Sequence, residues 1–336
     1  TGGVVTTTDT WLIHRLTGAF VGDVTTASRS LLMDLDTVAW DPELLAVFGL
    51  ADERMPRLVA CDEVVGMTSA FGGDVPVGGL VVDQQAALLA EGCLTPGTAK
   101  CTYGTGAFCL ANTGDQAVRS GNGLSSSVAW RIRGDLVYCL DGQVYTVASA
   151  VRWLVDLGLL DDARGLDAAC GEDGRGVAFV PALAGLAAPW WRADARGAFL
   201  GLGLDADRGA LVRAVVDGVA AQVAALVEAV EADLGRPLDR LRVDGGLTQS
   251  TVLMQAQADL LQRPVEVYAS PHATALGTAA AAHLAADPSL TLDDVNWPWT
   301  PAATYEPQWS ADRAAEFRGR WLGAVEVVLA DAEGQR

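Results

Sequence analysis

Residues 76–109 read PVGGLVVDQQAALLAEGCLTPGTAKCTYGTGAFC, and this stretch constrains the fold more than any other. The apolar run from Val77 to Val82, interrupted only by Gly78 and Gly79, ends in Asp83-Gln84-Gln85. A short apolar run that delivers polar groups at its carboxyl end predicts a buried strand, and in open α/β sheets that end is where ligands sit. Gln85 to Ala90 is helix-prone, which places Asp83 in the strand-to-helix turn. Cys101–Tyr103 and Ala107–Leu110 are β-prone and are joined by Gly104-Thr105-Gly106, a hairpin signal. Glycines in such a turn let backbone N–H groups approach an oxyanion, and Thr105 adds a hydroxyl.

A carboxylate at a strand end and a glycine-threonine-glycine turn, about 20 residues apart, suit phosphoryl transfer. That reaction needs few covalent partners and much positioning. A carboxylate orients the attacking hydroxyl and takes its proton, while a backbone cradle holds the phosphates. Taken singly, each motif has a plainer explanation: a strand-end Asp caps a helix, and a GTG closes a hairpin.

Together the residues carry a resemblance. VVDQQAALLAEGCLTPGTAKCTYGTGAF is similar to the glycerol kinase branch of the FGGY carbohydrate kinases over its whole length. The resemblance implies that Asp83 is the catalytic base and binds the acceptor together with Gln84. It also implies that Gly104 and Thr105 contact nucleotide phosphate and that Phe108 lines the polyol pocket. Where the family has Gly before the Asp, this chain has Val82. Further along, LRVDGGLTQSTVLMQAQADLL resembles the family's nucleotide segment, which implies that Gly245 and Gly246 face adenosine and phosphates. Ser250 stands where the family has an adenine-contacting Asn. Ala148 and Arg152 occupy the positions of a nucleotide-contacting Gly and Gln. FVPALAGLAAPWWRADARGAFLGLGL, from Phe179 onward, resembles a further family run, in which Trp190 and Trp191 are expected to pack rather than catalyse.

The implied fold is the α/β, actin-like (ribonuclease H-like) ATPase fold of two domains, with the nucleotide in the cleft between them. Residues 1–91 would close an incomplete first domain, 92–286 would form the nucleotide-binding domain, and 287–336 would be a loop and helix packed on the body. The implied reaction is ATP-dependent phosphorylation of a polyol or sugar hydroxyl with Mg²⁺ bridging phosphates, glycerol being the first candidate. Complete family members carry a DxGTT-like phosphate turn and most polyol contacts in chain that precedes Thr1 here. The 336-residue chain alone is therefore expected to be inactive. A kinase for another polyol, or a nucleotide-binding protein without kinase activity, stays open.

Composition agrees with a packed α/β protein: 50% of the 336 residues are hydrophobic and 19% charged. A formal net charge of −19 argues against nucleic acid or an anionic membrane surface as partner. No signal peptide or 18-residue apolar span is evident in the sequence. The six cysteines form no CxxC pair, which predicts buried thiols in a reducing, cytoplasmic compartment. The three histidines are isolated and build no metal set. A homo-oligomer is compatible with everything above. Lysine occurs once, at Lys100, and reads as compositional bias.

Elsewhere the sequence predicts a helix over Thr10–Leu16 capped by Thr8 or Asp9, and a short helix begun by Asp41-Pro42. Strands are expected over Gly123–Trp130 and Leu136–Leu140, and a helix within Gln143–Gly158. Leu211, Val215, Val219, Val223, Leu226 and Val230 recur at helical steps, predicting a long helix Asp207–Leu234 stopped by Gly235. Helices are also predicted over Gln249–Leu261, Thr274–Ala286 and Ala311–Leu329.

Overall fold

The computed structural model describes residues 4–295 and 298–334. Its centre is a mixed sheet of seven strands in the order Ala303–Tyr305, Val265–Val267, Leu241–Asp244, Ala99–Tyr103, Ala107–Gly114, Asp135–Val144, Ser125–Ile132. Leu241–Asp244 runs parallel to both of its neighbours, and the remaining pairs are antiparallel. The expected hairpin forms, with Cys101 opposite Cys109 and Thr102 opposite Phe108.

That register sorts the side chains onto two faces. Cys101, Tyr103, Ala107 and Cys109 enter the main core beneath the helix Arg208–Leu234. Phe108 and Leu110 point the other way, toward Leu88 and Leu89 of the helix Asp83–Ala90. Alternation puts Lys100 and Thr102 on this second face, which is also the face under Asp83.

The long helix keeps its predicted limits. Asp207 caps it by accepting from the Ala210 N–H at 2.9 Å, and Gly235 ends it with φ 66°. It is long and apolar enough to cross a membrane, which the sequence reading had denied, but 83% of its most apolar window is buried. It is a core helix. The last helix, Ala311–Gly334, folds back onto the body as expected: Trp321 is buried and donates to the Phe179 carbonyl at 2.9 Å. Trp190 packs edge-on against Trp321. Trp191 departs from the expected packing, being 46% exposed and tied to the Gly123 carbonyl at 2.6 Å.

The expected strand Val77–Val82 is not there. Val75–Val77 pairs antiparallel with Gly66–Thr68, and residues 78–82 join no sheet. Gly79 has φ 75°, which breaks an extended ladder. Both glycines lie against the helix Ala273–Ala286: a Cβ on Gly78 would sit 2.7 Å from that of Ala285, and one on Gly79 would overlap Ala282. The first helix is Thr8–Thr17 with Thr7, not Thr8 or Asp9, at its cap. Asp41 caps Pro42–Val47 as predicted, taking the Glu43 N–H at 2.7 Å. Within 287–301 a short helix, Leu292–Val295, interrupts the expected loop, and Asn296 and Trp297 lie outside the described residues.

Candidate active site

Asp83 is the first residue of its helix, exposed, with its carboxylate accepting only the Gln84 N–H at 2.8 Å among the described residues. Val82 before it is extended (φ −71°), so a valine sits there without strain. The helix start is pinned from outside. The Val82 N–H donates to the Thr25 hydroxyl at 2.8 Å, and that hydroxyl donates to Asp23. Burial pushes the Asp23 carboxyl up, against four hydrogen bonds from Thr25 and Thr26 that pull it down. From the other side, the Thr274 hydroxyl reaches the Asp83 carbonyl at 3.3 Å. Gln85 to Leu89 are buried, so the backbone beneath the exposed carboxylate is rigid.

The Gly104-Thr105-Gly106 turn docks on the start of the helix Ala148–Asp156. The Gly104 carbonyl accepts from the Ala148 N–H at 3.1 Å, and the Thr105 carbonyl accepts from the Val147 N–H at 2.9 Å and the Ser149 hydroxyl at 3.1 Å. Orphan donors of that helix are thereby satisfied by the turn itself. Thr105 is exposed and its hydroxyl makes no hydrogen bond among the described residues. A Cβ on Gly104 would meet only the Gly106 carbonyl, at 3.7 Å, so the turn has an open side. Ala148 therefore has its N–H engaged, and Arg152 lies on the outer surface in an exposed i,i+4 pair with Asp156. Such a pair contributes little to stability.

The paired glycines differ. Gly245 has φ 99°, and a Cβ there would overlap the Tyr103 carbonyl, so it is glycine for packing against the hairpin. Gly246 has no heavy atom within 4 Å of where a Cβ would be. It presents bare backbone to open space. The expected helix Gln249–Leu261 is a 3-10 turn, Gly246–Gln249, followed by Thr251–Leu261. Ser250 caps the latter, accepting from the Leu253 N–H at 3.1 Å and donating to Asp167. Its hydroxyl proton is thus taken by Asp167.

A buried polar cluster beneath the site went unrecognised in the sequence. Lys100 is fully buried and its ammonium donates to the Gln84 side-chain oxygen and to the Thr102 hydroxyl, the latter at 2.6 Å. Arg242, its register partner on the next strand, donates to the Glu91 carbonyl and stacks over Trp299. Glu91 is fully buried. Burial first, and then the neighbouring Asp244 carboxylate, hold the Glu91 carboxyl well above the usual range, while Lys100 and Arg242 pull the other way. The available signal was the solitary lysine. All six cysteines are free thiols, and burial pushes Cys93, Cys109 and Cys139 up to about 12. Such thiols are inert. Among the described residues no three His, Cys, Asp or Glu side chains gather as a metal cage.

Comparison with known proteins points to one family. Residues 3–90 match the model of the FGGY family of carbohydrate kinases, N-terminal domain, and residues 99–286 match its C-terminal domain. The glycerol kinase of Saccharopolyspora erythraea is 44% identical over 330 residues, covering 94% of this chain and 66% of its own. That of Mycolicibacterium gilvum is 41% identical over 338 residues, covering 96% and 67%. The chain spans about two thirds of the length of the curated relatives it matches. Among solved structures, Plasmodium falciparum glycerol kinase with ADP superposes with a TM-score of 0.89 at 33% identity, over 97% of this chain and 67% of that one. The xylulose kinase of Rhodospirillum rubrum gives 0.83 at 25% identity, over 98% and 69%. The fold is the mixed α/β, actin-like ATPase fold of these sugar kinases. By both halves of its sequence and by its structure, the chain belongs to the FGGY family of carbohydrate kinases.

Proposed function

We propose that the complete protein transfers the γ-phosphoryl group of ATP to a hydroxyl of a small polyol, with glycerol the first candidate. The observation that carries this reading is Asp83. It is a carboxylate with no side-chain partner among the described residues, exposed at the start of a helix, beside Gln84 and over the sheet face that carries Phe108. In this reading Asp83 orients the acceptor hydroxyl and takes its proton as the phosphorus–oxygen bond forms. Gln84 and Phe108 hold the polyol, Gln84 by its amide and Phe108 by an apolar wall. The open side of Gly104-Thr105 and the bare backbone of Gly246 face the nucleotide, with Gly245, Ala148 and Ser250 shaping the wall behind and Arg152 at its margin. The relatives at 41–44% identity are glycerol kinases, and the Plasmodium falciparum structure contains ADP.

Mg²⁺ typically keeps most of its ligands as water and phosphate oxygens, so in this reading the ion arrives with the nucleotide. When bound it neutralises phosphate charge. The domain division proposed is 1–91, 92–286 and 287–336, with the protein acting in the cytoplasm on small molecules. A second reading, nucleotide binding without transfer, is favoured by the committed Ser250 hydroxyl and the outward Arg152.

The test measures polyol-dependent ADP formation by the complete protein across glycerol, other polyols and ketoses, alongside nucleotide binding. Turnover highest with glycerol is expected. Nucleotide binding with no turnover on any acceptor would establish the second reading instead. The 336-residue chain by itself is proposed to bind ADP weakly and to transfer nothing.

A further inference from the structure

We infer that Lys100 is a positioning residue for the acceptor, fixing the side-chain amide of Gln84 so that its NH₂ group faces the polyol. The inference rests on the reading of Gln84 as an acceptor contact. An amide can present either its oxygen or its nitrogen to a neighbour, and the two orientations differ little in shape. An ammonium removes that freedom, because it donates and never accepts. The Lys100 ammonium donates to the Gln84 oxygen. The Gln84 nitrogen therefore points away from Lys100 as a donor, and among the described residues it makes no hydrogen bond.

Lys100 itself is held. It is fully buried, its second bond goes to Thr102 at 2.6 Å, and the Glu91 carboxyl lies close enough to feel its charge. Burying an ammonium is costly unless such partners surround it. A lysine recruited only to pack would be replaced without that cost by an apolar side chain. The network links the acceptor side to the nucleotide side, since Asp244 immediately precedes Gly245 and pairs in register with Thr102.

The test has two arms. Lys100 is the single lysine of these 336 residues, so selective ¹⁵N-lysine labelling gives one side-chain signal. In this chain a slowly exchanging ammonium signal is expected, and Gln84→Ala should shift it or speed its exchange. A signal unmoved by Gln84→Ala overturns the pairing, whether or not any polyol binds. In the complete protein, Lys100→Met should raise the polyol KM about tenfold, the scale of losing one charged hydrogen bond. ATP KM and kcat should stay within about threefold. The Lys100→Met, Gln84→Ala double variant should be no worse than Gln84→Ala alone, as for residues acting as a unit. Additive losses, or a fall in melting temperature without a KM change, would reduce Lys100 to a structural part. An unchanged polyol KM in Gln84→Ala itself would instead refute the acceptor reading of Gln84. Should Lys100→Met fail to fold, the labelling arm decides alone.

Discussion

Gly277 lies against the backbone of Ala86 so closely that a β-carbon on it would overlap the Ala86 carbonyl oxygen. The helix Ala273–Ala286 thereby packs directly on the helix that starts at Asp83. At Gly277 the two backbones meet directly. Gly277→Ala should lower stability by about 2 kcal/mol, the middle of the range for overpacking a close contact. A denaturation midpoint equal to that of the wild type would show that the two helices separate at no cost.

Asp83→Asn keeps the size and the helix position but removes the proton acceptor. Turnover of the complete protein should fall at least about 100-fold, the scale of general-base losses. Because the Asp83 carboxylate makes only a local bond to the Gln84 N–H among the described residues, neither stability nor nucleotide affinity should move. An Asn variant that retains most of its turnover contradicts the assignment.

The two glycines after Asp244 should separate folding from binding. Gly245→Val combines a left-handed backbone with a clash against Tyr103 and should destabilise severely. A Cβ at Gly246 would have no heavy atom within 4 Å, so the melting temperature of Gly246→Val should hold while ADP binding, read by calorimetry, disappears. Binding indifferent to Gly246→Val would remove that backbone from the nucleotide site.

Glu91 ties stability to pH. Its folded-state pKa is raised well above the usual 4.5, chiefly by burial. The folded state therefore holds this proton more tightly than the unfolded chain does, and stability declines as pH climbs from about 4.5 toward the raised value. Gln mimics the protonated acid, so Glu91→Gln should gain stability over the wild type progressively across that interval. Parallel stability–pH curves for the two proteins would show that Glu91 is ionised in both states.

What the sequence revealed was local. Asp41, Asp207 and Gly235 mark helix ends through side chains and backbone within a few residues, and each is found where expected. The hairpin was legible for the same reason. Misreadings occurred where a distant partner decides. Val77–Val82 looked like a strand because its glycines serve a helix some 200 residues later. The engagement of Ser250 was not legible because Asp167, which takes its proton, lies 83 residues earlier. Lys100 looked incidental because its meaning depends on Gln84, Glu91 and Asp244 meeting in space.

The Asp83–Ala90 helix is tethered at both ends, by Thr25 through the Val82 N–H and by Arg242 through the Glu91 carbonyl. A strut fixed at both ends cannot swing as a lid. If the cleft breathes, Asp83 travels with the sheet and keeps its place relative to Gln84 and Phe108. On the proposed reading, closure would then bring phosphate to a carboxylate already in place. The Ala86 and Ala87 amides should accordingly exchange with solvent only through global unfolding, and faster exchange there would show a helix that moves on its own.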